Sequence, residues 1–350
     1  MAQRPTLRFL RRVALVVAVA GWPVAGATAW AAEMTLVATA SMAPYGAVLA
    51  ERLRQRMPDP PVIAATDNVA VAVERFCVRG AGVDGLLLHR ALNRRERQHC
   101  TDVGVEPVAL ALGVEAAVVA VPQGSVLSRM TLDALFAVAI REVSVEGRNR
   151  INTVGKWREA DATHPDEAMI LMVPADGAAR ALFDDRAMQS ACRKLPGMQA
   201  IYSAAERSRR CTALRQDGIV REYDGAAALD QALAEPSPGL VTIMSSAAFA
   251  ARASRLTALP VEGVVPDDDS ISDESYPLSR RVYLYLRKPD SRHQGAADRH
   301  RLAMVADAAS HEEAVGPGGA FAAAGLVPLP LAARGEQRAA VLKRLTGDWP

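Results

Sequence analysis

The chain has 350 residues, half of them apolar, with 41 Lys and Arg against 39 Asp and Glu. That length and apolar content suffice for more than one ordinary domain core. A net charge of +2 excludes the basic surplus of a nucleic-acid-binding chain. Residues 1–31 read as a secretory signal peptide. Arg4, Arg8, Arg11 and Arg12 precede the apolar run 13–20, and Ala29-Trp30-Ala31 offers small residues for cleavage. Gly21, Pro23 and Gly26 interrupt the run short of a membrane span, and no cysteine follows it to carry a lipid anchor. Cleavage would remove four arginines and no acid, leaving 37 of the 41 bases against 39 acids. The exported chain is near neutral, so neither nucleic acid nor a membrane surface is expected as its partner.

From residue 34 short apolar runs alternate with amphipathic stretches. The pattern predicts a strand at 35–38, a turn at Ser41-Met42-Ala43-Pro44 and a helix over 45–57. A strand at 61–64 follows, then the loop Thr66-Asp67-Asn68 and a helix running to 76. A third strand at 83–88 leads to a helix over 93–100 and a strand at 108–110. Such alternation is the mark of an α/β sheet, whose ligands sit in loops beyond the carboxyl ends of the strands. Those loops carry Ser41, Thr66, Asn68, His89 and Arg90.

The near-continuous apolar run 114–121 is a further strand, and Thr131 caps a helix that follows it. Between 141 and 164 the chain is polar, with Trp157 as its one large anchor. The apolar run 169–173 then stops at Pro174, turns through Ala175-Asp176-Gly177 and becomes a helix containing Arg180. A helix start of this kind presents unpaired N–H groups and is a seat for an anion. No hydroxyl lies between Pro174 and Arg180, and Asp176, as N-cap, would repel an anion; an ordinary capped helix is the competing reading. The basic run Arg207-Ser208-Arg209-Arg210 has no interleaved aromatic and reads as a solvated face. A strand at 238–243 precedes the acidic segment 266–270, read as a surface loop without EF-hand spacing. In the strand after Pro277, Val282, Leu284 and Leu286 share one face and Tyr283 and Tyr285 the other. A final helix covers 332–345.

Cys77, Cys100, Cys192 and Cys211 all follow the export signal, an even count that favours disulfides. Sequence neighbours give Cys77–Cys100 and Cys192–Cys211, one of three formal pairings. A metal site is disfavoured because no C-x-x-C spacing occurs. The six histidines fall in no nucleophile–base or metal-ligand spacing, and no G-x-S-x-G motif is present. No enzyme activity, metal or cofactor is therefore expected.

The order of several motifs resembles the periplasmic phosphate-binding proteins of phosphate ABC transporters. These are Tyr276-Pro277-Leu278-Ser279-Arg280 before an aromatic strand, the closing Gly325-Leu326-Val327-Pro328-Leu329-Pro330, and Val105-Glu106-Pro107-Val108 before a long apolar strand. Thr131-Leu132-Asp133-Ala134-Leu135-Phe136, and Phe76-Cys77 with the Cys192/Cys211 region, fit the same family. The resemblance covers essentially the whole exported chain. It implies an α/β fold of the type II periplasmic binding protein class, with two α/β lobes joined by two hinge crossings near 110–113 and 276–285. Lobe 1 would combine residues 33–110 with 286–350, and lobe 2 would be 111–285.

Family members hold phosphate without a metal, through hydroxyls, backbone N–H groups, an acid and an arginine. Carried over, the first-loop hydroxyl falls on Ser41, with Met42 offering its backbone N–H. The Gly-rich second loop falls on residues 67–72, where the glycines are absent; Asn68 is available and Val69 occupies the hydroxyl position. The third loop falls on His89 and Arg90. The family's Ser-Gly-Thr-Arg falls on Gly177-Ala178-Ala179-Arg180, where only the arginine survives. Each lost charge-assisted hydrogen bond is worth about 1.5–3 kcal/mol, so three missing hydroxyls weaken phosphate binding by orders of magnitude.

Two functions follow as expectations. One is a monomeric periplasmic solute-binding protein that holds phosphate or a related small anion between its lobes and delivers it to an ABC permease in the inner membrane. The other is a ligand-poor protein of the same fold, acting as an envelope partner or regulatory module.

Overall fold

The computed structural model describes residues 34–346 other than 67, 79–82, 146–147, 236 and 290–294. The expected signal segment 1–31 and Asp67 of the second loop lie outside the described residues. The strands are β1 (Thr35–Thr39), β2 (Val62–Thr66), β3 (Val83–Leu88), β4 (Pro107–Pro122), β5 (Glu142–Val145), β6 (Arg148–Ile151), β7 (Ile170–Pro174), β8 (Val220–Tyr223), β9 (Leu240–Ser245), β10 (Leu256–Ala258) and β11 (Ser279–Arg287). Nine of them form one sheet in the order β2-β1-β3-β11-β4-β9-β7-β8, with β10 paired to β4.

Two strands span this sheet. β4 runs for 16 residues, so the two strands expected at 108–110 and 114–121 are one. Gly113 extends the strand rather than ending it, because the neighbouring ladder absorbs the irregularity. β11 pairs antiparallel with β4 from Ser279 opposite Ala116 to Arg287 opposite Pro107. The register steps where Val282 pairs with Gly113 and Tyr283 with Ala111, leaving Leu112 as an extra residue on β4, a bulge that bends the strand and adds twist. The side-chain amide of Gln337 closes this bulge, accepting from Ala111 N at 3.1 Å and donating to Ala111 O at 2.7 Å.

On one side of the bulge β1 pairs parallel with β2 and β3; on the other β7 pairs parallel with β8 and β9. Apolar clusters divide along the same line. One gathers Leu36, Leu49, Leu110, Leu284, Val305, Phe321 and their neighbours, and another gathers Val119, Leu135, Trp157, Leu171, Phe183 and Tyr276. The segment after Gly325 belongs to both, with Leu326 in the first and Val327 in the second; Val327 exchanges two backbone hydrogen bonds with Val114.

Most helices lie where periodicity places them, with local chemistry to explain their ends. Pro44 enters helix Ala43–Arg56 in its first turn. Asn93 and Glu96 form a capping box on helix Arg94–Asp102, and Thr131 caps helix Leu132–Ala139. The acidic segment read as a loop contains a short helix, Asp268–Ser272, because Asp267 and Ser270 cap each other's backbone. The cysteines form Cys77–Cys100 and Cys192–Cys211, with Cα atoms 4.5 and 5.5 Å apart. Among the described residues no helix is long and apolar enough to cross a membrane.

Candidate functional site

Parallel pairing sets the carboxyl ends of β1, β2 and β3 side by side, which brings Ser41, Asn68, His89 and Arg90 to one end of that half-sheet. The corresponding ends of β7, β8 and β9 carry Pro174, Tyr223 and Ser245, and the two sets of loops meet. Helix Gly177–Phe183 approaches the turn Ala40–Met42. A cavity of about 290 Å³ between them is lined by Tyr45, Asp176, Ala178, Ala179, Tyr223 and Ser245, among others.

The residues expected from sequence have particular occupations there. Ser41 Oγ lies 3.3 Å from Thr39 Oγ1, and Met42 is fully buried. Asn68 is a helix cap whose Oδ1 accepts from Ala70 N at 2.7 Å, and Val69 packs against the cluster around Phe76. Arg90 grips Glu96 through two bonds of 2.8 and 2.7 Å. Gly177 takes φ +83 and opens its helix. Asp176, expected to cap it, makes no side-chain capping bond among the described residues.

Arg180 turns elsewhere. Its Nε donates to both carboxylate oxygens of Asp184 at 3.0 Å, and its Nη1 reaches Pro174 O and Glu222. It lines a different cavity, of about 320 Å³, beside Arg215 and Glu222. The guanidinium that sequence reasoning placed over the helix start is thus held by two carboxylates of its own surroundings.

The strongest polar constellation between the two sets of loops joins His89, which the family resemblance assigned, to Tyr45, Glu115, Asp185 and Arg280, which it did not. Glu115 on β4 and Arg280 on β11 are register partners. Arg280 Nε donates to Glu115 Oε1, and Tyr45 Oη donates to Glu115 Oε2 at 3.1 Å. Arg280 Nη1 donates to Asp185 Oδ2 at 3.0 Å, and His89 Nε2 stands 4.0 Å from that same oxygen. Tyr45 and His89 come from the β1–β3 side, Asp185 from the β7–β9 side, and Glu115 and Arg280 from the strands joining them.

Two nitrogens of this constellation, Arg280 Nη2 and His89 Nδ1, are buried without a hydrogen-bond partner among the described residues. Buried polar atoms are satisfied as a rule; five other buried side-chain atoms, among them Thr242 Oγ1 and Arg281 Nε, share this state among the described residues. Burial pushes the Glu115 carboxyl and the Tyr45 phenol up. Burial, then Arg280 and Arg90, push His89 down to about 3, leaving a neutral imidazole at Arg280's side. Asp185 lies in the π-helical turn Asp184–Gln189, a geometry concentrated at functional positions. Among the described residues no cluster of His, Cys, Asp and Glu forms a metal-holding group.

No protein-family model matches the chain, and no curated protein is similar to it in sequence. Solved structures are similar in fold. A possible phosphate binding protein from Planctomyces limnophilus superposes with a TM-score of 0.64 at 17% identity, over 89% of this chain and 99% of its own. PstS from Borrelia burgdorferi gives 0.57 at 10% identity, over 86% and 100%. An ABC-type phosphate transport receptor from Vibrio cholerae gives 0.51 at 15%, over 78% and 93%. With the sheet order and the two spanning strands, this likeness makes the fold the α/β fold of the type II periplasmic binding proteins.

Proposed function

We propose that this chain is an exported solute-binding protein of the ABC-transport type, which holds a small oxyanion between its lobes at Arg280 and presents it to a permease in the inner membrane. Lobe 1 comprises 33–110 with 286–350 and lobe 2 comprises 111–285; closure brings Tyr45 and His89 against Asp185 and Arg280. The observation that carries the reading is the buried Arg280 Nη2, without a hydrogen-bond partner among the described residues, on a guanidinium that shares Asp185 Oδ2 with His89, whose Nδ1 is also unpartnered. A guanidinium fork is the protein's best match for a planar or tetrahedral oxyanion, and phosphate, named for the similar structures, is the first ligand to test. Ser41 and the N–H groups at Met42, Ala178 and Ala179 are the further contacts, with Asn68, Val69 and Arg90 shaping the rim. The solute is bound and released unchanged.

A second reading has its own support. Ala178 and Ala179 supply no hydroxyl, Arg180 is engaged by Asp184 and Glu222, and Arg280 already pairs with Glu115 and Asp185. A ligand-poor protein that serves as an envelope partner would have this character.

Calorimetric titration of the exported, dialysed protein with phosphate, sulfate and small carboxylates decides between them. Saturable binding that is lost in Arg280→Lys and retained in Arg180→Ala supports the first reading. A folded wild type indifferent to every solute in the panel removes it and leaves the second.

A further inference from the structure

We propose that the cavity beside the Cys192–Cys211 bridge is a second binding site, which takes the phosphate group of a phosphomonoester at Arg193 and Arg207. The inference stands apart from the solute-binding reading and uses none of its residues.

The segment closed by the bridge, 192–211, carries five bases, Arg193, Lys194, Arg207, Arg209 and Arg210, and a single acid, Glu206. On sequence the run Arg207-Ser208-Arg209-Arg210 reads as one solvated face; helix Ala204–Cys211 divides it. Arg209 and Arg210 both donate to the carboxylate of Glu206, and Lys194 stands 3.7 Å from Asp133. The segment's own acid is thereby used up, and Arg193 and Arg207 are left with neutral partners. Arg193 Nη2 donates to the amide oxygen of Gln189 at 2.7 Å, and Arg207 Nη1 donates to Ile201 O at 2.5 Å. Among the described residues neither guanidinium has an acid within ion-pair distance.

The two arginines line one cavity, of about 370 Å³, with Gln189, Ala204, Ser208 and Cys211. No carboxylate lines it. Three other cavities that hold arginine each carry an acid in the wall: Glu222 with Arg180 and Arg215, Asp176 with Arg252, and Glu142 with Arg141, Arg209 and Arg210. Uncompensated positive charge therefore singles out the cavity at the bridge, and its volume suits a small organic ligand or a headgroup.

Donors remain for such a ligand. Nε and Nη1 of Arg193, Nε and Nη2 of Arg207 and the Ser208 hydroxyl have no hydrogen-bond partner among the described residues. Guanidinium groups match phosphate oxygens through paired, charge-assisted bonds. A phosphomonoester carries a charge of about −1.5 to −2 near pH 7, which two arginines offset; a carboxylate would leave one of them unmatched. Arg193 follows Cys192 directly, and Arg207 lies one helical turn before Cys211. The bridge thus ties both cations to one point before a ligand arrives, which lowers the cost of ordering them.

The test titrates the full exported protein with glycerol 3-phosphate by calorimetry. Wild type and Arg280→Lys should bind it alike. Arg193→Gln and Arg207→Gln should each weaken binding about tenfold, and the double variant should lose it. Arg209→Gln removes one charge from the same segment at a side chain held by Glu206 and should leave the affinity unchanged. Thermal melts establish that each variant is folded. Sedimentation with phosphatidylcholine vesicles, with and without phosphatidate, identifies the source of the phosphate. Phosphatidate-dependent sedimentation that the double variant loses assigns it to a lipid headgroup; calorimetric binding without sedimentation assigns it to a soluble ester, and either result upholds the site. A wild type that binds neither glycerol 3-phosphate nor phosphatidate vesicles overturns the inference and leaves the solute-binding reading untouched. Binding that Arg280→Lys abolishes and the double variant retains also overturns it, because the phosphate then sits between the lobes. An equal loss in Arg209→Gln overturns it as a bulk charge effect.

Discussion

Glu115 and Arg280 face each other across the β4–β11 ladder with side chains only 3% and 5% exposed, close to the bulge at Leu112. Each charge is buried, and each is tolerable only because the other is there. Replacing Glu115 with Gln leaves the guanidinium with Asp185 alone, and breaking one partner of a buried pair costs about 3–5 kcal/mol. Tyr45→Phe, which removes only the neutral donor to Glu115, should cost about 1 kcal/mol. Urea unfolding measures both. A loss below about 1 kcal/mol in Glu115→Gln would mean that the pair is not buried in solution as it is in this structure.

His89 gives stability a pH dependence of defined sign. Burial, Arg280 and Arg90 set its folded pKa at about 3, below the ordinary value of 6.5; Asp185, at 4.0 Å, is its nearest opposing charge. A depressed folded pKa contributes stability that is fully present above pH 6.5 and is lost as pH falls toward 3, at up to about 1.4 kcal/mol per unit. Asp184 acts in the opposite sense. Burial raises it to about 6, so its contribution is present at low pH and is lost as pH rises through that value. The informative quantity is the difference between wild type and His89→Gln, followed by thermal melts from pH 7 to pH 4. The variant should lose less stability on acidification; parallel curves would place His89 in contact with water.

The strand and helix pattern was legible because hydrophobic periodicity and caps such as Asn93 and Thr131 are local. What stayed hidden depends on pairing between distant segments. Arg280 stands on the same face of its strand as Val282, Leu284 and Leu286, and Glu115 interrupts an otherwise apolar run. Both were visible as charges in core positions, a placement that demands a partner. The identity of that partner is set by the register of β4 against β11, which no local pattern encodes. Arg180 illustrates the converse. Its motif position points at the helix start, but Asp184 one turn later and Glu222 on β8 take its side chain, and the sequence offers no signal for the second of these.

The bulge on β4 is held by one side chain. Gln337 satisfies both the N–H and the C=O of Ala111, so Gln337→Ala strands two backbone groups at about 1–3 kcal/mol each where water does not replace it. Gly113 has φ +152, and a Cβ there would lie 2.9 Å from Val327 O and 3.0 Å from Leu326 Cβ. Gly113→Ala therefore combines backbone strain with a clash against backbone and should destabilise the protein more than Gly335→Ala, whose added Cβ meets open space. Differential scanning calorimetry of the three variants ranks them. Equal melting temperatures for the two glycine variants would contradict the packing seen at the crossing.

The Cys192–Cys211 bridge bears on the site as well as on stability. It spans 19 residues of sequence, and a loop of that length is worth about 3 kcal/mol in the chain-entropy picture; Cys77–Cys100, spanning 23, is worth a similar amount. The two differ in what they tether. Cys192 ends the helical run that begins at Gly177 and includes the π-helical turn bearing Asp185. Cys77 and Cys100 join helices Val69–Cys77 and Arg94–Asp102 on the β1–β3 side. Replacing Cys192 and Cys211 together by Ser should lower stability by about 3 kcal/mol and speed amide exchange over 184–192. Replacing Cys77 and Cys100 should lower stability comparably while leaving exchange over 184–192 unchanged. Hydrogen exchange read by mass spectrometry distinguishes the two pairs, and identical exchange of the 184–192 segment in both double variants would show that the bridge does not support the turn that carries Asp185.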